Sequence, residues 1–234
     1  MCREIRKSIS SIYIFTVRKE FKALERAFYL NKREIENIQL ASLEKLLNYC
    51  YKNVDYYRDL FNSLNIVKNG EIDLSRFKEI PLLTKDKIRN NFDRLKTKEL
   101  NQKKWYYNTS GGSTGEPVRL IQDEQYKKWV RAVKVIYDTW TGYHVGDNKV
   151  ILWGSERDLF VGQETLKVRA IRWLKNETWL NAFRMDEDKM YEYVDIINHQ
   201  RPVQILAYVS SIYELARFIE RKGLKVYSPK AIMT

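Results

Sequence analysis

Histidine and cysteine are scarce in this 234-residue chain: His144 and His199, Cys2 and Cys50 are all there is. Two cysteines cannot build a disulfide framework, and neither residue type recurs at metal-ligand spacing, so no zinc site is expected. Such cysteine usage fits a reducing cytoplasm, the expected location. Apolar runs of about 20 residues, the length that crosses a bilayer, are missing. No segment is low-complexity and no repeat period is visible. Lys and Arg number 42 against 30 Asp and Glu, but no zinc-finger spacing, RNP-like motif or basic heptad region accompanies the excess. The basic residues are spread along the chain, which reads as a solvated surface; nucleic acid is not an expected partner. With 44% hydrophobic residues the chain can bury a substantial core.

Glycine is also sparse, nine in all, yet three fall within Asn108-Thr109-Ser110-Gly111-Gly112-Ser113-Thr114-Gly115-Glu116-Pro117. Strand-favouring residues stand on either side, Lys104 to Tyr107 and Val118 to Ile121. A loop without bulky side chains can turn several N–H groups and hydroxyls toward one point, and its natural guest is a phosphate. By composition alone the same cluster reads as a hairpin turn. No Gly-Lys-Ser/Thr closes the stretch, so it is not a Walker A loop.

In its order, Ser110-Gly111-Gly112-Ser113-Thr114-Gly115-Glu116-Pro117 resembles the signature loop of the adenylate-forming (ANL) superfamily. Many members place Lys directly after the proline; here Val118 stands there, as in some relatives of the phenylacetate–CoA ligase branch. Three further pieces strengthen the resemblance: Leu46 to Cys50, Val54-Asp55-Tyr56-Tyr57-Arg58, and Ile80-Pro81-Leu82-Leu83-Thr84-Lys85. They are similar, in order, to the region ahead of the glycine loop in phenylacetate–CoA ligase-like proteins. These include CapK-type proteins found with capsular polysaccharide synthesis. Asp55 replaces that family's usual proline.

The first thirty residues carry a basic start and the apolar run Ile9 to Val17, with no small-x-small cleavage site. Two readings stay open: a helix packed on the body, or a basic amphipathic helix resting on a membrane surface. Residues 1–100 are expected to form a helical lead-in. Ile35, Ile38, Leu43, Leu46, Leu47 and Cys50 recur at helical spacing over 34–52. Asp55, Asp73 and Thr84 are read as caps of three further helical turns.

Residues 101–234 are expected to be the α/β, nucleotide-binding portion, the two parts forming one structural unit. Asp123 caps a helix whose apolar face holds Tyr126, Trp129, Val130, Val133, Ile136, Tyr137 and Trp140, closed by Gly142. Strands are expected at Lys149–Trp153, Thr178–Ala182, Val203–Tyr208 and from Ala231, with helices over 163–175, from Asp186, and from the capping box Ser211-x-x-Glu214 to Gly223. The fold class is therefore α/β: a helical lead-in, a glycine-loop β-hairpin and a mostly parallel sheet flanked by helices. Ligands of such sheets sit at the carboxyl ends of the strands, which points to Gly154, Ser155 and Ala207 to Ser210, with Tyr208 as a pocket-lining residue.

The resemblance implies an ATP-dependent, AMP-forming activation of a carboxylic acid, with ATP, Mg2+ and CoA as cofactors. It implies a phosphate-binding role for Ser110, Gly111, Gly112, Ser113, Thr114 and Gly115. It covers only the front part of the family's length, corresponding to an incomplete ANL N-terminal domain. A C-terminal polypeptide with the metal-holding glutamate, the ribose-binding aspartate and the mobile lysine domain is expected to be missing. No metal ligand and no catalytic residue is assigned in this chain.

Overall fold

The structure is a computed structural model that describes residues 15–110, 117–154 and 166–234. The chain divides into two compact units, residues 25–130 and residues 1–24 with 131–234.

Of the apolar run Ile9 to Val17, only the last three residues are described. Val17 is fully buried, and helix α1 (Arg18–Ala27) buries Glu20 in its first turn. Asn31 starts α2 (Lys32–Asn53) through a reciprocal cap: its side chain accepts from Glu34 N at 3.1 Å and its own N–H donates to the Glu34 carboxylate at 2.8 Å. The helix turns Leu43, Leu47 and Cys50 onto a small core built around Phe61 and Ile66, both fully buried. Ile35, Ile38 and Leu46 are exposed, so the expected apolar face is narrower than its spacing suggested.

Helix α3 (Asp55–Ser63) begins one residue earlier than an Asp55 cap requires. Val54 occupies the cap position with no side-chain bond, and Asp55 instead accepts from Arg58 at 2.5 Å and pairs with Lys98 at 3.2 Å. Those partners hold its carboxyl below the usual range. A short antiparallel pair follows, β1 (Val67–Lys68) and β2 (Glu71–Ile72), turned by Asn69 and Gly70 at φ 51° and 80°. Two positive φ values in sequence are what a tight Asn-Gly hairpin needs. Asp73 caps the 3-10 turn Leu74–Glu79 and Thr84 caps α4 (Lys85–Asn90), both as expected.

The hairpin of the glycine loop is present. Strands β3 (Trp105–Thr109) and β4 (Arg119–Asp123) pair antiparallel from Trp105↔Asp123 to Thr109↔Arg119. Asp123 accepts from Tyr126 N at 2.8 Å and starts α5 (Glu124–Trp140), within which the two units divide. The buried residues of α5 are Ala132, Val135 and Ile136; Tyr126, Trp129, Tyr137 and Trp140 are exposed, which corrects the aromatic core face expected from spacing. Aromatic and β-branched residues occur around most of this helix, so periodicity alone left its orientation open.

The second unit holds the sheet. Strands β5 (Lys149–Trp153), β6 (Glu177–Asn181), β7 (Gln204–Ala207) and β8 (Ala231–Met233) run parallel in the order β6-β5-β7-β8. Helix α6 (Leu166–Lys175) precedes β6, α7 (Glu187–Gln200) precedes β7, and α8 (Val209–Lys222) precedes β8. This is the mixed α/β arrangement of a helix-flanked parallel sheet. Central β5 buries its first four residues in succession, the pattern of a strand covered on both faces. Val150, Leu152 and Ile205 of the strands close on Val194 and Ile197 of α7 and Leu215 and Phe218 of α8. Lys149 starts β5 as a buried cation paired with Asp138 at 2.9 Å.

Asp186 caps α7 by accepting from Lys189 N, and Gly223 ends α8 at φ 62°. The expected capping box at Ser211 is not formed. Strand β7 passes straight into α8, whose cap position is Tyr208, and Ser211 lies buried in the first turn with its hydroxyl on Ala182 O at 3.4 Å. Among the described residues no helix is long and apolar enough to cross a membrane.

Candidate functional site

The two regions singled out by sequence fall in different compact units. The first is the root of the glycine loop, in residues 25–130. Gly111, Gly112, Ser113, Thr114 and Gly115 lie outside the described residues. Ser110 is described, and it closes the hairpin. Its N–H donates to Val118 O at 2.9 Å, and its hydroxyl oxygen accepts from Val118 N at 3.0 Å. Two bonds between the same two residues fix where the strands part and the loop begins. Val118 itself is buried, so the root is held by packing as well.

One face of this hairpin is aromatic. Trp105 and Tyr107 meet edge to face at 4.9 Å, and Tyr107 lies 6.2 Å from Phe92. The Arg119 guanidinium sits over both rings, 4.5 Å from Phe92 and 4.7 Å from Tyr107. On the other face the Gln122 carbonyl accepts from Tyr106 at 2.9 Å and from Asn108 at 3.1 Å, and Lys127 lies 4.0 Å over the Tyr106 ring. These cross-strand contacts keep the root in register.

The second region is the carboxyl edge of the parallel sheet. Tyr208, just past β7, stacks on Trp153 at the end of β5, with ring centroids 3.7 Å apart and planes 21° apart. Phe183, just past β6, meets Tyr208 edge-on at 6.3 Å. Three neighbouring strand ends thus contribute one aromatic cluster. The turn carrying Phe183 is tied down: Phe183 N donates to the Asn181 side chain at 2.8 Å, and the Tyr193 hydroxyl donates to Asn181 O at 3.0 Å and Arg184 O at 3.3 Å. Burial pushes the Tyr193 phenol above its ordinary value, so it stays a donor. Phe183 is 59% exposed, so the cluster presents an open apolar surface.

The sequence pointed to Tyr208 but not to Trp153 or Phe183. The signal for Trp153 was present, since it is the last residue of an apolar run at a strand's carboxyl end. Phe183 and Arg119 gain meaning only from strand order and long-range packing. Ser155 lies outside the described residues. Among the described residues no group of three or more His, Cys, Asp or Glu is placed to hold a metal ion.

No family model matches the chain. It is 23% identical over 209 residues to protein CapK of Staphylococcus aureus, an alignment covering 85% of this chain and 44% of CapK. Its fold matches a crystal structure of 2-hydroxyisobutyryl-CoA ligase in complex with 2-HIB-AMP and CoA, with a TM-score of 0.52 and 13% identity, over 83% of this chain and 41% of the ligase. An open conformation of the same ligase matches with a TM-score of 0.50 and 11% identity, over 83% of this chain and 45% of that one. The chain thus spans less than half the length of the proteins it matches. Its sequence is similar to that of CapK, and its fold is that of part of a CoA ligase.

Proposed function

We propose that this chain is part of an ATP-dependent, AMP-forming acyl-adenylate synthetase that activates a carboxylic acid for transfer to CoA, serving capsular or surface polysaccharide synthesis. The observation that carries the reading is the loop root: a Gly/Ser/Thr loop held on an antiparallel hairpin by the double Ser110–Val118 bond, in a fold of the CoA-ligase type. In this reading Ser110, Gly111, Gly112, Ser113, Thr114 and Gly115 bind the β- and γ-phosphates of ATP through backbone N–H groups and hydroxyls. Donors there stabilise the charge that gathers on departing pyrophosphate as the carboxylate attacks the α-phosphorus. The Ser110 oxygen is already an acceptor for Val118 N, so its hydroxyl proton is what it offers to a phosphate. A carboxylate nucleophile is ionised at neutral pH and needs no general base.

Mg2+ has no ligand set among the described residues, and no step is assigned to it. Tyr208, stacked on Trp153, is assigned to the acyl pocket, where apolar surface would receive the acid's carbon chain. Tyr208→Ala should raise the KM for the acid and leave ATP binding unchanged.

The test is MgATP-dependent pyrophosphate exchange across a panel of aryl and short-chain acids. Exchange that requires an acid supports the reading. ATP binding without exchange from any acid favours a second one, a catalytically incomplete remnant or partner-dependent module. That alternative is suggested by β8, which has no strand on its outer side among the described residues and presents an open edge for pairing. Absence of both binding and exchange overturns the first reading.

A further inference from the structure

Arginines in this chain whose guanidinium contacts are fixed mostly face carboxylates. Arg58 pairs with Asp55, Arg76 with Glu79, Arg89 with Asp86, Arg94 with Asp59, and Arg221 with Glu187. Arg119 does not. It is the first residue of β4, directly across from Thr109, at the root of the glycine loop. Phe92 and Tyr107 hold its guanidinium at 4.5 and 4.7 Å, and among the described residues no oxygen accepts a hydrogen bond from it. Lys96 adds a second cation to the same patch, 5.1 Å over the Phe92 ring. Asp93 is the acidic side chain beside them, and it is bonded to Lys96 at 2.6 Å. Its carboxyl lies below the usual range chiefly through Lys96, with a smaller contribution from the Arg119 charge.

Stacking occupies the flat faces of a guanidinium and leaves its in-plane N–H donors free. Those donors form the planar fork that matches a phosphate bidentately. A side chain already pinned by two rings loses less rotamer freedom on binding than a swinging one. Stacked, exposed, with the nearby Asp93 carboxylate bonded to Lys96 rather than to it, and next to the loop, Arg119 has the properties of a preorganised anion contact.

We propose that Arg119, backed by Lys96, is an anion-binding residue at the hairpin root that takes a phosphate group of a phosphorylated ligand. The proposal rests on the nucleotide reading above. Two sources share this chemistry: the polyphosphate of the nucleotide and the phosphates of the CoA acceptor.

Arg119→Met removes the charge but leaves a long stem to pack on Phe92 and Tyr107; Arg119→Ala is the second variant. The whole 234-residue chain and both variants are titrated calorimetrically with magnesium pyrophosphate, MgATP and CoA. Arg119→Met should weaken at least one of the three by about tenfold or more, the scale of one charge-assisted hydrogen bond. Weakening of pyrophosphate and ATP with CoA unchanged assigns the nucleotide; weakening of CoA alone assigns the acceptor. Wild-type affinity of Arg119→Met for all three overturns the proposal, and leaves Arg119 a clamp that Arg119→Ala would reveal by lower thermal stability alone. A parent chain that binds none of the three overturns the nucleotide reading itself, and this proposal with it.

Discussion

The two compact units are held together differently. In the sheet unit, central β5 buries four residues in a row, and helices α7 and α8 bury Val194, Ile197, Leu215 and Phe218 against the sheet. The unit of residues 25–130 has a smaller core of Leu47, Phe61, Ile66 and Ile72, supplemented by polar ties. The Tyr49 hydroxyl reaches Thr97 at 2.7 Å and Glu99 at 2.9 Å, Asn48 accepts from Ile72 N at 2.9 Å, and Arg76 donates to Asn65 O at 2.6 Å. Apolar burial dominates the sheet unit. In residues 25–130, side chains bonded to backbone and to one another decide where irregular segments lie.

The largest expected effects come from emptying either core. Leu152→Ala in β5 and Phe61→Ala in α3 should each destabilise by about 3–5 kcal/mol, since both side chains are essentially fully buried. Chemical denaturation followed by Trp fluorescence checks this. If the units unfold separately, Leu152→Ala moves one transition and Phe61→Ala the other; one shared transition moved equally by both variants would break the comparison.

Asp138→Asn comes next. Lys149 Nζ bonds to Asp138 at 2.9 Å and lies 4.6 Å over the Tyr143 ring, with 8% of its side chain exposed. Removing the carboxylate strands a buried cation at the start of the central strand, a loss of about 3 kcal/mol. Replacing both members, Asp138→Leu with Lys149→Met, should recover most of it, and a double-mutant cycle in urea measures the recovery.

A smaller effect, about 1 kcal/mol, is expected for Asp186→Ala, which removes the side chain that accepts from Lys189 N at the start of α7. The caps at Asp73, Thr84, Asp123 and Asp186 were legible in the sequence because capping is local: a short polar side chain reaches the N–H two or three residues on. The strands of the parallel sheet were legible because each is a brief apolar run between turn residues. The Ser211 cap failed because β7 ends at Ala207 and the helix begins at once, so tertiary connection overrode the S-x-x-E pattern. Of the expected α5 face, Ile136 is buried but the aromatics are not, because the sheet unit buries Ala132, Val135 and Ile136 rather than the larger side chains. Of the candidate site, the sequence singled out the loop and Tyr208 as expectations. It could not point to the Arg119 stacking or to the Trp153 and Phe183 contacts of Tyr208, which depend on register and strand order.

The smallest effect sharpens the polar side of the comparison. Lys68 bonds to Asp73 at 2.5 Å and, with Ser75, lowers the Asp73 carboxyl to about 2. A depressed carboxyl stabilises the fold above its unfolded value of about 4. That contribution fades as pH falls through 2. Lys68→Ala should therefore lower stability slightly above about pH 4, where the contribution is fully present, leave stability below about pH 2 unchanged, and so flatten the acid limb between them. An unaltered acid limb would show that this pair does not anchor the turn after β2.

In the proposed function the hairpin loop binds the phosphates of ATP. Calorimetric titration of the chain with MgATP, beside the Ser113→Ala/Thr114→Ala double variant, tests it most directly. The account predicts saturable binding by the parent chain and its loss in the double variant, with thermal stability unchanged. No binding by the parent, or equal binding by both, would contradict it.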